Sequence, residues 1–122
     1  MSKKILILED EIIISDLLAK KLSFEGYSVK TAQNGKQGMD LMTQETPDLV
    51  LTDVIMPEKN GFTVIEEMKQ NEMLKNVPII IISNSGQPVE IDRAKELGVS
   101  DWIIKTEFDV QEIIKKVKNK IG

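Results

Sequence analysis

Short apolar runs alternate along the chain with longer stretches whose apolar residues recur every three or four positions. This is the pattern of a parallel sheet covered by helices on both faces. Lys4 to Leu8, Asp48 to Leu51, Val77 to Ile82 and Trp102 to Ile104 are nearly continuous in apolar residues, as expected of strands buried on two sides. Tyr27-Ser28-Val29-Lys30-Thr31 instead alternates with period two, which suits a strand at the edge of the sheet.

Helical periodicity fills the intervals. Glu11 to Glu25 places Ile14, Leu17, Leu18 and Leu22 on one side and stops at Gly26, a residue suited to the left-handed C-terminal position. Lys36 to Glu45 and Gly61 to Gln70 supply the next two helices, the latter turning Phe62, Ile65 and Met68 inward. A fourth starts near Pro88, presents Ile91, Ala94 and Leu97, and stops at Gly98. The last repeats Val110, Ile113, Ile114, Val117 and Ile121 behind Asp109 as N-cap. Strand followed by helix, five times, predicts an α/β fold: a flavodoxin-like, doubly wound, five-stranded parallel sheet in the order 2-1-3-4-5 with five helices. No repeat, linker or low-complexity tract interrupts it, so residues 1–122 are expected to form a single domain.

Composition narrows the chemistry. Cysteine and histidine are both absent, which removes disulfides, thiolate metal sites, the commonest general base and the commonest zinc ligand. Catalysis is left to carboxylates, hydroxyls, amines and backbone. The opening Met1-Ser2-Lys3-Lys4 leads into an apolar run too short for a signal peptide or a membrane span, so a cytoplasmic protein is expected. A formal net charge of −4 without a basic stripe argues against nucleic acid as the direct ligand and favours a protein partner.

The polar residues that end the strands carry the functional signal. Glu9-Asp10, Asp53, Ser83 and Lys105 follow the first, third, fourth and fifth apolar runs. In the order 2-1-3-4-5 the winding reverses between strands 1 and 3, where such sheets bind ligands. Two carboxylates ~4 Å apart repel by on the order of 4 kcal/mol at an effective dielectric near 20, so converging acids call for a cation. Hard oxygen ligands favour Mg²⁺ or a similar ion. An acid after a strand is common in any polar loop, and a lysine opposite acids is often a structural ion pair. Four strand ends pointing the same way weigh against coincidence.

From Lys4 to the last helix, the chain resembles the receiver domains of two-component response regulators. Glu9-Asp10 resembles their acidic pair, and Thr52-Asp53-Val54-Ile55-Met56-Pro57 followed by Gly61 resembles their phospho-acceptor segment. Ser83 falls at the family's hydroxyl position, Lys105 at its lysine, and Trp102 where Tyr or Phe is usual. The resemblance implies that Asp53 takes a phosphoryl group from a phosphohistidine of a histidine kinase or phosphotransfer protein. Asp10, Asp53 and the backbone carbonyl of Ile55 would hold Mg²⁺, with Glu9 acting through a bound water, while Ser83 and Lys105 bind phosphoryl oxygens. Ser83 and Trp102 would then act as a switch that changes the surface of helix 4, strand 5 and helix 5 toward a downstream protein. The domain would be no enzyme beyond catalysing its own phosphorylation and dephosphorylation, with no output domain in this chain, no membrane and no direct nucleic acid contact.

Thr106 follows Lys105 where the family usually has a cis proline, and a cis bond before a non-proline residue costs about 3 to 4 kcal/mol, so a trans bond is expected. Asn84 replaces the usual small residue after Ser83, and the polar run Asn84 to Gln87 with Gly86 predicts a mobile loop. Ile55 is apolar and expected to restrict attacking water, which favours a long-lived acyl phosphate. Three other readings compete. A receiver-like module that is never phosphorylated is supported only by Thr106 and Asn84. A flavodoxin-type redox protein is opposed by Glu9-Asp10-Glu11, which would repel a flavin phosphate. An aspartate phosphatase would need a second acid where Ile55 stands.

Overall fold

The computed structural model describes residues 2–84, 86–106 and 109–122. Five strands, β1 (Lys4–Leu8), β2 (Ser28–Ala32), β3 (Leu49–Thr52), β4 (Ile79–Ser83) and β5 (Asp101–Ile104), alternate with α1 (Ile12–Phe24), α2 (Gly35–Gln44), α3 (Gly61–Lys69), α4 (Pro88–Glu96) and α5 (Val110–Ile121). The strands pair in parallel in the order β2-β1-β3-β4-β5, the doubly wound arrangement expected from the sequence. No helix among the described residues is long and apolar enough to cross a membrane.

Alternation along the strands builds two apolar layers. Ile5, Ile7, Leu49, Leu51, Ile80, Ile82 and Ile103 meet Leu18 and Leu22 of α1 and Ile113, Ile114 and Val117 of α5. Leu6, Leu8, Val50, Ile79 and Ile81 point the other way, onto Met42 of α2, Phe62, Ile65 and Met68 of α3, and Ala94 of α4. Both faces of β1, β3 and β4 are therefore covered, which is why these runs show no alternation. Trp102 to Ile104 departs from the expectation of burial on two sides: β5 is the second edge of the sheet, and only its Ile103 is buried. Leu17 also departs, remaining 37% exposed, whereas Leu18 and Leu22 are buried and Ile14 packs at the margin.

Helix ends follow the local chemistry. Asn34, Asn60 and Asp109 accept hydrogen bonds from backbone N–H groups of the first turns of α2, α3 and α5. Gly26 and Gly98 follow α1 and α4 with φ of 101° and 85°, the left-handed region that a side chain disfavours. Helix α4 is held differently from the others. Ala94 is its one fully buried residue, against five in α3. Across that thin contact Arg93 sits over the Phe62 ring, 4.5 Å from its centroid, and donates to Glu66 of α3 at 2.8 Å.

Candidate functional site

At the carboxyl ends of the strands lies a cleft of about 230 Å³, lined by Asp10, Glu11, Asp53, Ile55, Ser83, Asn84 and Lys105. Each wall is set by backbone continuity with the sheet. Glu9 extends β1, its N–H bonded to the Ala32 carbonyl, and Asp53 extends β3, its N–H bonded to the Leu8 carbonyl. The N–H of Lys105, directly after β5, donates to the Ser83 carbonyl at 2.7 Å. The adjacent strands thus carry their terminal residues to a common rim.

The Asp53 carboxylate is held at both oxygens: Oδ1 accepts from the Val54 N–H and Oδ2 from Lys105 Nζ, each at 2.7 Å. Its backbone is fixed from behind. Gly61 begins α3 with its N–H donating to the Val54 carbonyl at 2.7 Å. A Cβ at Gly61 would lie 2.1 Å from the Asp53 carbonyl oxygen, so only glycine permits this approach.

Glu9 is fully buried and Asp53 nearly so, while Asp10 faces solvent, yet one oxygen from each lies within 4.8 Å of the others. Lys105 Nζ partly balances these charges, 3.0 Å from Glu9 Oε2 and 2.8 Å from Oε1. Burial pushes the Glu9 carboxyl up to about 7, against hydrogen bonds from Lys105 and the Glu11 N–H that favour its charged form, and the Asp53 charge adds to the rise. For Lys105, burial would lower the pKa, but hydrogen bonds to Asp53, Glu11 and Glu9 outweigh it and hold the ammonium above its ordinary value.

A cation fits this donor set. Among the described residues the buried Glu9 Oε1 has only its ion-pair contact with Lys105 Nζ and no hydrogen bond of good geometry, and three carboxylates converge with a single ammonium among them. Such an all-oxygen cluster suits a hard divalent ion. Ile55 carries its side chain outward, 73% exposed, at the mouth of the cleft.

The remaining residues singled out in the sequence divide. Ser83 is buried at the cleft wall. Trp102 is outside the cleft, half-buried against the layer beneath α2 to α4, with its ring 6.4 Å from that of Phe62. No peptide bond among the described residues is cis, so Lys105–Thr106 is trans, and Lys105 still reaches Asp53. Ser85, within the loop expected to be mobile, lies outside the described residues. One cleft residue was not singled out: Glu11, whose carboxylate accepts from Lys105 Nζ. Its position in an acidic run facing that lysine was the available signal.

Comparison with known proteins agrees with this architecture. The family model for the response regulator receiver domain matches residues 5–118. The DNA-binding dual master transcriptional regulator RpaA of Synechocystis sp. is 33% identical over 115 residues, 94% of this chain and 47% of that protein. A probable transcriptional regulator of Guillardia theta is 34% identical over 116 residues, 95% of this chain and 44% of its own length. The chain thus spans less than half the length of these curated relatives. The signal receiver domain of a signal transduction histidine kinase from Syntrophus aciditrophicus superposes with a TM-score of 0.89 at 28% identity, covering 98% of this chain and 90% of that one. With its matching strand order and acidic rim, the chain belongs to the response regulator receiver domain family, a signalling family of two-component phosphoryl transfer.

Proposed function

We propose that Asp53 accepts a phosphoryl group from a phosphohistidine of a histidine kinase or histidine phosphotransfer protein, and that residues 1–122 act as one switch unit. A carboxylate oxygen of Asp53 attacks phosphorus, the P–N bond to imidazole breaks, and an acyl phosphate remains on Asp53. The observation that carries this reading is Lys105 Nζ at 2.7 Å from Asp53 Oδ2 within a cluster of three carboxylates. An ammonium so placed can follow charge onto the phosphoryl oxygens, and the Ser83 hydroxyl lines the same cleft. Glu9, Asp10, Asp53 and the Ile55 backbone carbonyl would hold Mg²⁺, which when bound supplies charge neutralisation for the transferring group. Ile55 shields one side of the mouth, favouring a long-lived product.

The same contacts support a switch. A phosphoryl dianion gives Ser83 a strong acceptor, which draws the β4–α4 segment inward and lets Trp102 reposition beneath α4. The surface of α4, β5 and α5 then changes toward a downstream protein. The Synechocystis relative is named as DNA-binding, but this chain carries a net charge of −4, and its own output is proposed to run through protein contacts.

Incubation with Mg²⁺ and a small acyl-phosphate donor should add one phosphoryl group by intact mass. The addition should vanish in Asp53→Ala and in chelator; an equal gain in Asp53→Ala would refute the assignment. Trp102 fluorescence should change on adding Mg²⁺ and beryllofluoride, and an unaltered spectrum counts against the aromatic part of the switch.

A further inference from the structure

The lysine in the cleft has more acceptors than the proposed chemistry uses. An ammonium has three N–H donors, and Lys105 directs them at Asp53 Oδ2, Glu9 Oε2 and Glu11 Oε2. All three are taken when an incoming phosphoryl oxygen first arrives; the one aimed at Asp53 Oδ2 can follow charge onto the phosphoryl group only as the bond to phosphorus forms. One carboxylate must withdraw when that oxygen arrives, and the three differ in how readily they can.

Glu9 is fully buried, and moving it would strand a charged or protonated carboxyl in the core. Asp53 is the group under attack. Glu11 has a side chain 50% exposed at the cleft mouth and can rotate into water at little desolvation cost. Its backbone is fixed, the N–H donating to Glu9 Oε2 at 3.1 Å, so only the side chain has to move.

A second observation separates Glu11 from an ordinary helix-start acid. It occupies the N-cap of α1, yet its side chain makes no capping hydrogen bond. Asn34, Asn60 and Asp109 cap their helices, and Gln87 of α4 shares with Glu11 the lack of a capping bond but does not line the cleft with Lys105. The Glu11 carboxylate turns from the α1 amides toward Lys105 instead.

We propose, resting on the acceptor role of Asp53, that Glu11 is a positioning residue that occupies the phosphoryl-binding donor of Lys105 in the resting protein. It keeps the ammonium over the acceptor carboxylate and competes with the arriving anion for it. Because the competition is for a specific hydrogen bond, both the reach and the charge of Glu11 matter. A half-exposed ion pair is weak, so its loss should lower the half-saturating concentration of a phosphoryl mimic by about two- to fivefold.

The test titrates the full chain in saturating Mg²⁺ with beryllofluoride by calorimetry, as wild type, Glu11→Gln and Glu11→Asp. Glu11→Gln keeps the reach without the charge, and Glu11→Asp keeps the charge but is one methylene shorter. Both should bind the mimic more tightly than wild type. In the metal-free protein, the Lys105 ammonium ¹⁵N resonance should shift in both variants, a readout independent of the mimic. Tighter binding by Glu11→Gln with Glu11→Asp unchanged would reduce Glu11 to a repelling charge and overturn the proposal. Unchanged or weaker binding in both variants, or an unmoved Lys105 resonance, would overturn it as well. A wild type that binds no beryllofluoride and gains no phosphoryl group defeats the acceptor reading itself, an outcome distinct from a wild type that binds it as well as the variants do.

Discussion

The two ends of β1 gather lysines and carboxylates in settings that differ in access to water. Near its start, the Glu45 carboxylate sits between Lys4 at 3.3 Å and Lys30 at 3.5 Å, all three side chains 45 to 58% exposed, and Asp48 accepts from the Lys4 backbone N–H at 2.7 Å. Beyond its end, the single ammonium of Lys105 sits among three carboxylates, two of them buried. Hydrogen bonding to Lys4, helped by the charge of Lys30, holds the Glu45 carboxyl below its ordinary range, whereas burial pushes Glu9 up to about 7. Both glutamates have a lysine beside them, so the lysine does not set the direction. Access to water does: the exposed rim screens its charges, and the buried rim makes them depend on one another.

Removing Lys105 should break the buried rim most. Lys105→Met is expected to slow phosphorylation of Asp53 by about 100-fold, the usual scale for losing one preorganised donor, as followed by an intact-mass time course. A loss of less than about threefold would mean the ammonium is only structural. Gly61→Ala comes next. Its Cβ would strike the Asp53 carbonyl at 2.1 Å, and urea unfolding should show a loss of about 2 kcal/mol, the middle of the overpacking range.

A smaller effect comes from Glu9 and pH. Its folded value, about 7, lies above the ordinary 4.5, so the folded chain binds more protons than the unfolded chain between them. The stability contributed by this group is fully present below about 4.5 and is lost as pH rises through about 7. Denaturant unfolding in chelator should show this component in wild type and lack it in Glu9→Gln. Mg²⁺ should bind more tightly as pH rises through the same window, since a proton and a cation compete for the carboxylate. The smallest effect belongs to the exposed rim: Glu45→Gln should leave the urea midpoint unchanged, and a clear shift would erase the contrast between the two ends.

Much of the architecture was legible because burial leaves a plain mark on sequence. The runs that became β1, β3 and β4 are nearly continuous in apolar residues because helices cover both faces, and Gly26 and Gly98 stop their helices because φ there is positive. The rim positions of Glu9, Asp53, Ser83 and Lys105 stood out because each ends such a run. Trp102 to Ile104 misled because apolar composition does not reveal whether a neighbouring strand exists on both sides. Leu17 misled because a helical stripe fixes direction only to within a residue or so. Glu11 was passed over because acids are usual at the start of a helix, and its partner lies 94 residues away, a distance that periodicity cannot span.

Helix α4 rests on the sheet through one fully buried methyl group and is steadied from the side by a guanidinium lying across an aromatic ring. Sliding it would uncover far less oil to water than sliding α3, and its polar tether can re-form at a neighbouring angle. Of the five helices, it is the one with the fewest buried residues, so the least apolar surface holds it in place.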